Sequence, residues 1–114
     1  MKSPLQITAR DFELSPAIEA VIKEKVEKLD KFYDRIIRFK VVLESPHRSK
    51  RKGRRYHVHI DISVPGEELV VRREPHEDLA VAIREAFEAA KRQLQEFADL
   101  RRAVLKNPSA LSAR

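Results

Sequence analysis

The stretch Tyr56-His57-Val58-His59-Ile60-Asp61-Ile62-Ser63-Val64 alternates apolar and polar residues, and Pro65-Gly66 follows it directly. A period of two marks a strand with one dry face and one wet face. The Pro-Gly pair marks a turn whose glycine can take a positive φ. Residues 68–73 (Glu68-Leu69-Val70-Val71-Arg72-Arg73) then supply a second β-branched run, which predicts a hairpin. Val58 and Ile60 are assigned to the core, and His57 and His59 to the solvated face.

Working outward, Ile37-Arg38-Phe39-Lys40-Val41-Val42-Leu43 repeats the pattern, with positions 37, 39, 41 and 43 on one face. Leu5-Gln6-Ile7-Thr8-Ala9 gives another alternating strand. Between these two, Ser15-Pro16 reads as a helix start, with serine at the N-cap and proline at the first helical position. Ile18, Val21, Ile22, Val26, Leu29, Phe32 and Tyr33 follow at helical spacing, predicting a helix that ends near Asp34. A second helix is predicted over about 76–102, with Leu79, Ile83, Ala86, Phe87, Ala90, Leu94 and Phe97 on one stripe. Asn107-Pro108 ends order.

The order is thus β-α-β-β-β-α. Alternating strands leave one sheet face wet, so both helices must cover the other. The expected fold is α+β, a two-layer sandwich of a four-stranded sheet with two helices on one face. The β-α-β step implies parallel first and second strands. Residues 1–102 are read as one domain and residues 103–114 as a flexible basic tail.

Composition narrows the function. A chain of 114 residues with 42% apolar content supports one modest core. It has no cysteine, which excludes disulfides and thiolate chemistry, and two glycines, too few for a P-loop or a dinucleotide fingerprint. No apolar run approaches a membrane span, and the start has no signal-peptide core. The chain is expected to be cytoplasmic, without a cofactor, a metal, a membrane contact or a small-molecule substrate.

The net charge of +6 equals the number of cations in one segment: Arg48, Lys50, Arg51, Lys52, Arg54 and Arg55 lie together without an acid. Such concentration implies an anionic partner, nucleic acid first of all, with a merely solvated loop as the alternative. On the first helix Lys25, Lys28 and Lys31 fall on one flank, three residues apart, and Glu19, Glu27, Asp30 and Asp34 on the opposite side, with Glu24 intruding on the basic flank and Lys23 on the acidic one. Lys25 sits inside the apolar arc, where a lysine can snorkel to the edge. On the second helix Arg84 and Lys91 share a flank with Arg102, while Arg92 stands among Glu85, Glu96 and Asp99 on the other side, with Glu88 four residues before it.

Two histidines on a strand lack a third ligand, so no metal site is expected. Acids at the start of the second helix suit the helix dipole and need no catalytic role. No catalytic residues are assigned. The aromatics fit core or core-edge positions, and the face with Arg38, Lys40, His57 and His59 has none. Recognition is therefore expected through phosphates and shape, not through base stacking.

Ile7-Thr8-Ala9-Arg10-Asp11-Phe12-Glu13-Leu14-Ser15-Pro16-Ala17-Ile18, the lysine-rich helix to Leu29-Asp30-Lys31-Phe32, and His76-Glu77-Asp78-Leu79 through Lys91-Arg92-Gln93-Leu94 resemble the ribosome hibernation promoting factors, also called ribosome-associated inhibitors or sigma factor modulation proteins. The resemblance spans about residues 4–97. It implies a fold similar to double-stranded RNA-binding domains. It also implies binding to the small ribosomal subunit and its ribosomal RNA, in the messenger and transfer RNA channel, with translation blocked by occupancy. The family's basic positions fall on Lys25, Lys28 and Lys31, and on Ala89, Arg92 and Glu96 of the second helix. Only Arg92 is basic among the last three, and Arg84 and Lys91 supply charge nearby. The resemblance further implies a short-type factor, monomeric when free, that does not pair ribosomes alone. One family name points instead to a protein-interaction module modulating an RNA polymerase sigma factor, which would need a buried apolar patch rather than salt-sensitive contacts.

Overall fold

In the computed structural model, which describes residues 3–45 and 55–106, six elements follow one another. They are β1 (Leu5–Arg10), α1 (Pro16–Phe32), β2 (Arg38–Glu44), β3 (His57–Val64), β4 (Glu67–Arg72) and α2 (Leu79–Lys106). The strands form one sheet in the order β1-β2-β3-β4. β1 pairs parallel to β2, and the other two pairings are antiparallel. The α+β class and the element order agree with the sequence reading.

Alternation becomes layering. Phe39, Val41 and Leu43 of β2, Val58, Ile60, Ile62 and Val64 of β3, and Leu69 and Val71 of β4 are buried on one face. Ile22, Val26 and Leu29 of α1 and Ile83, Ala86, Phe87, Ala90 and Leu94 of α2 join them in a single core. At the hairpin, Gly66 takes φ +80° after Pro65, a conformation that glycine adopts without a Cβ penalty.

Helix ends are fixed by local chemistry. The Ser15 hydroxyl accepts a hydrogen bond from the Ile18 N–H at 3.1 Å, and Pro16 occupies the first turn. α1 stops where Tyr33 turns extended at φ −136°. α2 starts at Leu79, three residues later than the sequence spacing predicts. The reason is that His76 is held by a backbone bridge to Tyr56, and Asp78 is the cap: its Oδ1 accepts from the Ala80 N–H at 2.9 Å. Tyr56 accordingly lies outside β3, as an isolated bridge residue.

Two further expectations are corrected. Ile37 is not on the core face; it precedes β2 and is half exposed, while Ile36 turns inward instead. Residues 103–106, read as tail, continue α2, because Ala103, Val104, Leu105 and Lys106 tolerate helix until the Asn-Pro pair. The rest of the assigned tail lies outside the described residues.

Ser3 ties the layers together. Its side-chain oxygen is 2.8 Å from Asp30 Oδ1 and 2.9 Å from the Ile36 carbonyl oxygen, and its N–H donates to Asp30 Oδ2 at 3.2 Å. This pins the end of α1 and the loop after it to the start of β1. Ser3→Ala leaves a half-buried carboxylate short of a donor and is expected to lower stability by about 1–2 kcal/mol. Urea unfolding checks this: the midpoint should fall with an unchanged slope.

Candidate nucleic-acid interface

α1 and α2 meet over the same sheet face, and a crevice of about 470 Å³ opens between them. Lys25, Lys28 and Lys31 line it from α1, and Arg84 and Lys91 from α2. On α2 the two cations are seven residues apart, nearly two turns, so both point the same way. Lys25 is half-buried among the crevice residues, as expected of a long side chain whose stem covers apolar surface. Glu88 is the one acid against these five cations. The crevice is therefore a concave surface of concentrated positive potential, which low-dielectric walls focus further.

Its floor is apolar. Leu29 and Phe87 are buried there, while Phe32 remains 39% exposed. The Lys91 Nζ stands 5.3 Å from the centre of the Phe32 ring, a cation–π contact. Phe32 and Lys31 also wall a neighbouring hollow of about 590 Å³, where Arg35, Arg101 and Arg102 contribute. Charge is partly paired in that hollow: Arg102 Nη1 donates to Asp99 Oδ1 at 3.1 Å, and Gln95 donates to the same oxygen at 3.0 Å.

The open sheet face differs in sign pattern. Arg10 is the register neighbour of Glu44, and Lys40 that of Asp61. Asp61 Oδ1 also lies 2.9 Å from His59 Nε2. Two of the cations there thus face acids across the strands, an arrangement that stabilises the sheet, while Arg38 neighbours Ser63 and Arg72 neighbours His59. His57 and His59 lie on this face, and among the described residues no group of three or more His, Cys, Asp or Glu side chains is placed to hold a metal ion. No described helix is long and apolar enough to cross a membrane.

Residues 5–102 match the family described as Sigma 54 modulation protein / S30EA ribosomal protein. The chain belongs to this family. A Ribosome hibernation promotion factor from Deinococcus radiodurans is 29% identical over 92 residues, covering 81% of this chain and 47% of the relative. The chain thus spans about half the length of that curated relative. The N-terminal domain of Protein Y from Thermus thermophilus superposes with a TM-score of 0.67 at 25% identity, covering 83% of this chain and 98% of that one. A ribosomal subunit interface protein from Coxiella burnetii gives a TM-score of 0.70 at 16% identity, with 83% and 97% covered, and shares the fold.

Within this S30EA-family domain the structure gathers Lys25, Lys28, Lys31, Arg84 and Lys91 at one crevice. Arg92 is not among its lining residues: one position after Lys91, it is turned about 100° away on the exposed side of α2. Ala89 is buried and Glu96 exposed, so charge on the second helix comes from Arg84 and Lys91. Arg55 is exposed at the start of the chain leading to β3, and Arg48, Lys50, Arg51, Lys52 and Arg54 lie outside the described residues. Sequence reasoning missed Phe32 and Arg35. The signal is the Phe32-Tyr33 pair: with the helix ending between them, one ring can face the core while the other does not. Tyr33 does, packing edge-on against Phe97 at 5.8 Å.

Five crowded like charges repel one another, so thinning them should not weaken the fold. The triple variant Lys25→Gln, Lys28→Gln, Lys31→Gln keeps the side-chain stems. It is expected to melt at or above the wild-type temperature, within about 0.5 kcal/mol per site. A thermal melt at low salt checks it.

Proposed function

We propose that the chain binds the small ribosomal subunit through its ribosomal RNA, with the inter-helical crevice as the contact surface. In this reading it inhibits translation by occupying the messenger and transfer RNA channel in stress or stationary phase, and it works in the cytoplasm without catalysis. The observation that carries the reading is the charge of the crevice: five cations and one acid line it, whereas the hollow on the open sheet face has four cations and two acids, each acid a cross-strand neighbour of one of those cations. An RNA backbone offers a row of phosphates, and each phosphate neutralised by a lysine or arginine releases counterions. The family relation and the name of the Deinococcus relative support a ribosomal partner. The six cations at 48–55 would add phosphate contacts beyond those of the helices.

The sigma-factor alternative needs a contiguous apolar patch. Among the described residues, the exposed or lining apolar side chains that the structure brings together beside cations are those of the crevice, Leu29, Phe32 and Phe87. Their company of five cations favours the RNA reading.

The test is binding to purified small subunits across a salt series. The triple lysine variant is expected to flatten the log–log salt slope by about 2–3 units, if each lysine meets one phosphate. Arg10→Gln with Lys40→Gln on the open sheet face is expected to leave the slope unchanged. Alanine at Arg51, Lys52, Arg54 and Arg55 is expected to flatten it by roughly three units. An unchanged slope in the triple lysine variant would overturn the reading.

A further inference from the structure

A surface that held phosphates alone would need cations on its rim and nothing special beneath them. This crevice has an apolar floor of Leu29, Phe87 and Phe32 under its cationic rim. Phe32 is the informative residue. At 39% exposure it leaves part of a large apolar ring in water, and it borders both hollows between the helices. One cation, Lys91, already stands 5.3 Å from the ring centre. An apolar floor, an accessible ring and surrounding ammonium groups match the two halves of a nucleotide: a flat base and its phosphates.

We infer that the crevice takes one unpaired nucleotide of RNA, its base against the Phe32 ring and its phosphates among the crevice lysines. This rests on the ribosomal RNA reading above and refines it. The nucleotide is unpaired because a base inside a duplex has both faces covered by its neighbours and offers none to the ring. The site thereby selects loops and bulges over continuous helix, which a purely electrostatic strip would not do. Lys91 serves twice, resting on the ring when the crevice is free and turning to a phosphate when it is filled.

Two RNA hairpins of equal length and charge test this, one fully paired and one with a single bulged 2-aminopurine. The wild-type chain is expected to bind the bulged hairpin about tenfold more tightly and to change the 2-aminopurine emission. Phe32→Leu keeps an apolar side chain at an exposed position and so should fold. It is expected to lose about tenfold on the bulged hairpin, with the salt slope and the paired hairpin unaffected. Phe32→Tyr keeps the ring and should retain binding. Equal affinity for the two hairpins, unchanged emission, or an unaltered Phe32→Leu variant overturns the inference. If the triple lysine variant still weakens small-subunit binding in that case, the RNA reading stands and only the nucleotide site falls. If the lysine variant also changes nothing, the RNA reading falls with it. An acidic peptide of equal charge that binds as tightly as the bulged hairpin would reassign the crevice to a protein partner and overturn the inference too.

Discussion

Two helices share one face of a four-stranded sheet, and that shared cover shapes the rest of the molecule. The sheet needs cover because β2, β3 and β4 place their apolar side chains on a single face. α1 contributes a narrow stripe of Ile22, Val26 and Leu29 to this cover, and α2 a broader one. Two cylinders lying on a plane leave a valley between them, and the side chains just outside each buried stripe become its walls. The crevice thus follows from the packing that makes the fold.

The walls could have carried any soluble residues. Lysines and arginines there repel one another, so folding does not require them. On the open sheet face Arg10 and Lys40 each have an acid as cross-strand neighbour, Glu44 and Asp61. Five cations beside a single lining acid at the crevice are what an anionic partner would use. Anchoring supports the same surface. Ser3 holds Asp30 and the Ile36 carbonyl, fixing the end of α1 where Lys31 and Phe32 project. The His76-Glu77-Asp78 segment, whose residue types invite a chemical role, acts as a bridge and a cap that set where α2 begins.

Most of the fold could be read from residue periodicity, since β3 alternates without interruption and Ser15-Pro16 is a local helix start. Reading failed where tertiary contacts decide. The bridge between His76 and Tyr56 delays α2, and no local pattern encodes it. Helical spacing runs Phe32 and Tyr33 together on one apolar stripe, but α1 ends at Phe32, and the extended Tyr33 packs on Phe97 while Phe32 stays exposed. The crevice lysines of α1 were legible because three-residue spacing keeps side chains on one flank. Spacing along α2 alone does not say which flank meets α1, and the structure sets Lys91, not Arg92, at the crevice.

The most direct test of the crevice as the ribosomal contact is lysine reactivity, free and bound. The chain is acetylated alone and in complex with small subunits, and modification is read at each lysine by mass spectrometry. Contact through the crevice predicts protection of Lys25, Lys28, Lys31 and Lys91, with Lys23 on the far side of α1 and Lys40 on the open sheet face as reactive as before. Protection of Lys40 with the crevice lysines still reactive would contradict the account.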